Sequence, residues 1–151
     1  MKRILQIFLA SVLVFSTLLC PTFAKDYEFQ SDTEIVTFDD GSYIEIVTKS
    51  YPSITRASEK YAEKVFTYKT YWGTDILSYT LKGWFEYTSG VSSKATAVDY
   101  SYEIYETGWS FDSHDESLSG DTVYGSAVFS NVFRTKNIEG SMSCDKYGRI
   151  S

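Results

Sequence analysis

The sequence predicts an all-β fold: an antiparallel sandwich, immunoglobulin-like or barrel-like, of about seven or more short strands with an N-terminal hairpin. Three observations carry that expectation. Residues 76–88 alternate so that Leu77, Tyr79, Leu81, Phe85 and Tyr87 share one side of an extended chain, because successive side chains of a strand point to opposite faces. Turn signals recur at short intervals, at Asp39-Asp40-Gly41, Gly73-Thr74-Asp75, Ser89-Gly90 and Asp145-Lys146-Tyr147-Gly148. After the first 24 residues, no stretch holds the 3.6-residue period long enough to supply the crossover helix of a parallel sheet.

The first segment is not a strand but an export signal. Met1-Lys2-Arg3 is positive, and Ile4 to Cys20 is apolar apart from Gln6, Ser11, Ser16 and Thr17. Pro21 stops a helix there, because it lacks a backbone N–H and clashes with the preceding turn. Thr22-Phe23-Ala24 places small residues at −3 and −1 of a cut between Ala24 and Lys25. That order is the tripartite pattern of a cleavable signal peptide. An uncleaved anchor is the alternative, and the apolar run of about 17 residues lies at the low edge of bilayer-spanning length. The small-x-small site decides for cleavage. Lipidation of Cys20 would need a small residue before it, and Leu19 stands there. Residues 1–24 therefore read as a signal peptide, and the rest as a secreted, extracellular domain.

The remaining elements follow in order. Thr33 to Phe38 and Tyr43 to Thr48 are β-branched and aromatic around Asp39-Asp40-Gly41, the pattern of a hairpin. Residues 50–63 break that pattern and read as a linker with room for one helical turn. This gives a hairpin-plus-linker segment, 25–63, and a main β region, 64–151, the hairpin forming part of one domain with it. Val65 to Trp72 is the next strand. In 76–88 the face opposite the apolar stripe carries Ser78, Thr80, Lys82, Trp84, Glu86 and Thr88. Thr96 to Tyr105 sets Val98, Tyr100, Tyr102 and Ile104 in phase, and Gly108 to Phe111 is a short piece. Ser113 to Asp121 reads as a polar loop. Thr122 to Val132 points Val123, Ala127 and Phe129 inward with Gly125 in phase, and Ile138 to Cys144 is the last strand.

Charge and cysteine usage narrow the function classes. Cleavage leaves 127 of 151 residues, enough for one domain with a real core. Loss of Lys2 and Arg3 leaves 12 basic against 20 acidic side chains, a net charge of −8. Such a surface repels phosphate backbones, which argues against nucleic acid, and also disfavours anionic membranes. Cys20 leaves with the signal, so Cys144 is alone and no disulfide can form within the mature chain.

The inventory for catalysis is thin. His114 is the single histidine, set in Asp112-Ser113-His114-Asp115-Glu116. This run could hold calcium or act as a base flanked by acids; the plainer reading is a solvated acidic loop. Zinc needs three or four ligands, usually His or Cys, and only Cys144 is left to join His114; the run also lacks the order of a calcium-binding EF-hand. No Gly-x-Ser-x-Gly elbow and no glycine-rich phosphate loop is present. Cys144, in phase with Ile138 and Met142, reads as a buried structural thiol. No catalytic, cofactor or metal residue is therefore assigned, and no cofactor. Trp72 and Trp109 read as core. Trp84, among Lys82, Glu86 and Thr88, is the candidate for ligand stacking, against the alternative of a second core layer.

Several short motifs recur in an order that carries a resemblance. They are Asp40-Gly41-Ser42-Tyr43-Ile44, Thr55-Arg56-Ala57-Ser58, Tyr71-Trp72-Gly73-Thr74-Asp75, Gly83-Trp84-Phe85-Glu86-Tyr87, Gly108-Trp109-Ser110, Tyr124-Gly125-Ser126-Ala127 and the ending from Ser143 to Ser151. In that order the chain resembles a family of small uncharacterised secreted proteins of gut Firmicutes, chiefly Clostridia, which implies a Gram-positive source. No activity attaches to that family, so the resemblance implies neither function nor site residues. Its members often carry a second cysteine just after the position of Gly90, which could pair with the one matching Cys144. Here Val91-Ser92-Ser93-Lys94-Ala95 has none.

The sequence thus favours a non-catalytic extracellular module that binds a cell-surface glycan or protein. The alternative is a secreted hydrolase with an unrecognised site.

Overall fold

The computed structural model describes residues 30–52 and 58–151. The signal peptide, the Ala24–Lys25 cut and the middle of the expected linker lie outside these residues. The described residues form eight strands: β1 (Gln30–Thr37), β2 (Tyr43–Pro52), β3 (Glu59–Lys69), β4 (Asp75–Thr88), β5 (Ser92–Ile104), β6 (Ser110–Ser119), β7 (Thr122–Ser130) and β8 (Thr135–Ser143). They form a five-stranded sheet in the order β1-β2-β3-β4-β5 and a three-stranded sheet in the order β6-β7-β8. Every pairing is antiparallel. The two meanders face each other as a sandwich and do not close into a barrel. Among the described residues there is no helix.

The predicted hairpin forms as read. Phe38 N–H donates to the Ser42 carbonyl at 2.8 Å, and Gly41 N–H to the Phe38 carbonyl at 2.9 Å. Gly41 has φ +79°, a left-handed conformation that glycine adopts without steric cost. Asp40 Oδ1 accepts the Ser42 N–H at 3.0 Å, which fixes the turn.

The core lies between the sheets. Phe66, Tyr68, Leu77, Tyr79, Leu81 and Phe85 of the larger sheet meet Val123, Ala127, Phe129, Ile138 and Met142 of the smaller one, and all are buried. Full burial of one large apolar side chain contributes about 1.5–3 kcal/mol, so this interface is the main source of stability. Cys144 is fully buried beside it and unpaired, as its phase predicts. Gly125 and Gly140 are cross-strand partners in β7 and β8. A methyl group on Gly125 would run into the Tyr79 hydroxyl, and one on Gly140 into the tip of the Phe66 ring. The pair forms a shallow trough that admits these rings from the opposite sheet.

Three readings need correction. The expected linker is mostly strand: β2 continues to Pro52 and β3 begins at Glu59. Tyr61, Glu63, Val65 and Thr67 take the outer face there, opposite Ala62, Phe66 and Tyr68. Lys64 disguises the alternation, since it points inward and its Nζ donates to the Ser141 carbonyl at 2.9 Å. A lysine can follow an inner face in this way when its head reaches a strand-edge acceptor. The expected polar loop from Ser113 is instead the body of β6. The expected strand ending at Trp72 stops at Lys69, and Trp72 stands on a turn, 87% exposed, not in the core.

Candidate functional site

Trp84 lies on the solvent face of β4 and is 37% exposed. The strand register sets it beside Tyr61 in β3, which in turn sits opposite Tyr51 in β2. The three rings form a ladder across the sheet. Tyr51 and Tyr61 stack at 5.4 Å with planes 26° apart, and Tyr61 and Trp84 lie 4.9 Å apart at 38°. Cross-strand aromatic pairs of this kind contribute about 0.2–1 kcal/mol each to a sheet. The ladder therefore orders the platform before any ligand arrives.

Glu63 completes the ordering. Its carboxylate accepts the Tyr61 hydroxyl on Oε1 and the Tyr51 hydroxyl on Oε2, the latter at 3.4 Å. Burial and then the Glu63 hydrogen bond push the Tyr61 phenol well above its usual range, so it stays a protonated donor. Burial and the Glu63 charge raise Tyr51 in the same direction.

On the other side of Trp84 the neighbour across β5 is Ala97. One extra residue in β5, Thr96, bulges at this point, and its Oγ1 donates to the Trp84 carbonyl at 3.1 Å. Bulges re-aim side chains and end regular pairing. A depression of about 190 Å³ opens beside the indole, lined by Tyr61, Trp84, Thr96, Glu59 and Glu86. Glu86 is held by Lys94 at 3.2 Å. The next row of the same face carries Lys49, Glu63, Lys82 and Asp99 in register, charges of alternating sign. An aromatic shelf edged by donors and acceptors can stack on an apolar ring face and hydrogen-bond its substituents.

His114 occupies a different place. β6 carries Phe111, His114, Glu116 and Leu118 on the side that pairs with the inward residues of β7. The imidazole stacks on Tyr100 at 3.9 Å, and its Nε2 lies 3.3 Å from Glu116 Oε2. Glu116 Oε2 and the Tyr79 hydroxyl are both buried without a hydrogen-bond partner. Burial, and then the Glu116 charge, push Tyr79 up to about 12. The strand pleat thus separates His114 and Glu116 from the outward Asp115; the run is strand and not loop, with Asp112 to Asp115 exposed to solvent. Among the described residues no three metal-ligating side chains converge. The Cys144 thiol donates to the Asp145 carbonyl at 3.5 Å, and burial pushes it up to about 11. It lies just past the end of β8, bridged to Ile150, while His114 is on β6 at the opposite edge of the small sheet, and no contact joins the two.

Of the sequence-derived candidates, Trp84 falls in a structured surface site. Tyr51, Tyr61 and Glu63 are its unforeseen members. The signal that could have found Tyr61 and Glu63 is the alternation in 61–68, which Lys64 interrupts; Tyr51 lies in β2, in the stretch read as linker.

Comparison with protein-family models, with curated protein sequences and with solved structures returns no match. Among the described residues no helix is long and apolar enough to cross a membrane.

Proposed function

We propose that this protein is a non-catalytic extracellular binding module whose large sheet offers its outer face to a cell-surface glycan. The observation that carries the reading is the ladder of Tyr51, Tyr61 and Trp84, tethered by Glu63 and open at the Trp84 end. A flat shelf with flanking donors and acceptors suits a sugar ring, which has an apolar face and a polar rim. Export of the chain after cleavage at Ala24–Lys25, and its kinship with secreted proteins of gut Firmicutes, belong to the same proposal.

The test is a screen of the exported protein against glycans and cell-wall fractions, with Trp84→Ala alongside. Loss of one stacking partner worth roughly 1 kcal/mol weakens binding about fivefold or more. Equal binding by parent and variant would remove Trp84 as the anchor. The second reading, a secreted hydrolase, has one observation in its favour: the contact between His114 Nε2 and Glu116 Oε2 beside the buried, unpartnered Tyr79 hydroxyl. Substrate turnover abolished by His114→Ala would establish it and overturn the binding reading.

A further inference from the structure

Four large apolar side chains protrude into solvent at one end of the sandwich. Tyr71 and Trp72 occupy the β3–β4 turn and are 68% and 87% exposed. Val132 and Phe133 occupy the β7–β8 turn and are 87% and 89% exposed. Turns ordinarily carry Gly, Asn, Asp or Ser, which satisfy the backbone and face water at no cost. Here two turns each carry an adjacent apolar pair. The turns belong to different sheets, yet both border one cavity of about 440 Å³ with Tyr71, Trp72, Trp109 and Phe133 around it.

Both turns are braced. Thr70 and Thr74 close the first, with N–H···O bonds of 2.9 Å from Thr70 to Thr74 and from Gly73 to Thr70. Asn131 Oδ1 accepts the N–H groups of Phe133 and Arg134 at 2.9 Å in the second. Arg134 Nη1 then donates to Asp40 Oδ2 at 2.9 Å and to the Tyr68 hydroxyl at 3.3 Å, tying the β7–β8 turn to the β1–β2 turn. The apolar side chains are presented from a fixed base.

We propose that this end of the protein docks on a zwitterionic, choline-headed lipid surface, with Trp72 and Phe133 as paired inserting prongs. A preformed small-molecule pocket buries most of its ligand, and rings this exposed wall off too little. A soft interface accepts protruding knobs without a matching cavity. Trp and Tyr favour the headgroup level, and neighbouring apolar side chains reach the acyl boundary.

Charge selects the headgroup. Among the described residues the cations at this end are engaged: Arg134 with Asp40, Lys69 between Glu45 at 2.9 Å and Asp75 at 3.0 Å, and Lys136 over the Phe38 and Tyr68 rings. Asp39 and Glu106 are exposed at the same end. Anionic lipid is therefore repelled, while a choline ammonium meets carboxylates and aromatic faces. This inference does not rest on the glycan reading.

The test is co-sedimentation of the exported protein with phosphatidylcholine vesicles and, separately, with phosphatidylglycerol vesicles. The parent binds phosphatidylcholine more tightly, and soluble phosphocholine does not displace it. The double variant Trp72→Ser/Phe133→Ser loses vesicle affinity by at least about tenfold, since both apolar contacts go. Its far-UV circular dichroism matches the parent, because both side chains are nearly free of the fold. Trp84→Ala binds vesicles like the parent, which separates failure of this proposal from failure of the glycan reading. Four results overturn it: undiminished vesicle binding by the double variant, preference for phosphatidylglycerol, displacement by soluble phosphocholine, or a parent dimer in solution that the double variant abolishes. The last would mean a second copy covers the tips.

Discussion

Replacing Gly140 with alanine tests how closely the two sheets approach. Gly140 has a backbone conformation open to any residue, and Gly→Ala at such a site gains about 0.4–1 kcal/mol by restricting the unfolded chain. Against that stands the Phe66 ring, 3% exposed. A methyl group on Gly140 would run into its Cζ and lie 2.9 and 3.0 Å from Cε1 and Cε2. Carbon atoms pack best at about 3.5–4.0 Å, so the ring must move. It has little room, since Tyr79 lies 6.0 Å away, centroid to centroid. Overpacking costs about 1–3 kcal/mol, and a methyl group driven straight into a ring atom belongs at about 2–3, which leaves a net loss of roughly 1–2.6 kcal/mol. In urea, with a slope of about 2 kcal/mol/M, the midpoint falls by roughly 0.5–1.3 M. Phe66→Leu combined with Gly140→Ala recovers part of the loss, because the two residues share one contact. A midpoint for Gly140→Ala equal to or above the parent's, at unchanged slope, would refute the close approach of the sheets. So would strict additivity in the double variant.

Three further outcomes are expected. Cys144 labels slowly with a thiol reagent in native buffer and rapidly in denaturant, as a buried thiol held up to about 11 requires; rapid native labelling contradicts the burial. Stability is retained below about pH 9 and declines as pH rises toward 12. Cys144 and Tyr79 are raised from 9.0 and 10.0 in the folded state, so above those values the unfolded chain loses protons first. Urea midpoints that stay flat from pH 8 to 11 would contradict this. Intact-mass measurement of protein from culture medium finds Lys25 at the N-terminus, and a retained Met1 would remove the cleavage reading.

Legibility in the sequence tracked how uniformly an inner face is apolar. β4 was plain because Leu77, Tyr79, Leu81 and Phe85 are all buried in the core, with Gly83 filling the remaining inner position. β6 was hidden because its inner positions include His114 and Glu116. These sit on the outermost strand of the smaller sheet, where aromatic stacking on Tyr100 replaces deep burial. The start of β3 was hidden by Ala62, too small to mark a face, and by Lys64, whose inward turn depends on a carbonyl 77 residues away. The same concealment cost most of the binding ladder. Trp84 was visible because β4 was legible, whereas Tyr61 and Glu63 lay in a stretch read as linker. Trp72 was misplaced for a different reason: alternation cannot tell the last residue of a strand from the first of a turn.

The two proposed surfaces occupy opposite ends of the same strands, and this shapes how they act together. Tyr61 stands near the start of β3, and the Tyr71–Trp72 turn follows its end. Eight residues of strand separate Tyr61 from Lys69, at about 3.3 Å each, or roughly 26 Å. A protein seated on lipid by its turns would hold the Trp84 shelf away from that surface, facing sideways and clear of the headgroups. Substitutions that far apart with no shared partner act independently. The triple variant Trp72→Ser/Phe133→Ser/Trp84→Ala should therefore show the vesicle defect of the tip variant and the glycan defect of Trp84→Ala, each at its separate size. A larger combined loss in either assay would mean that the rigid sheet between the two ends transmits strain.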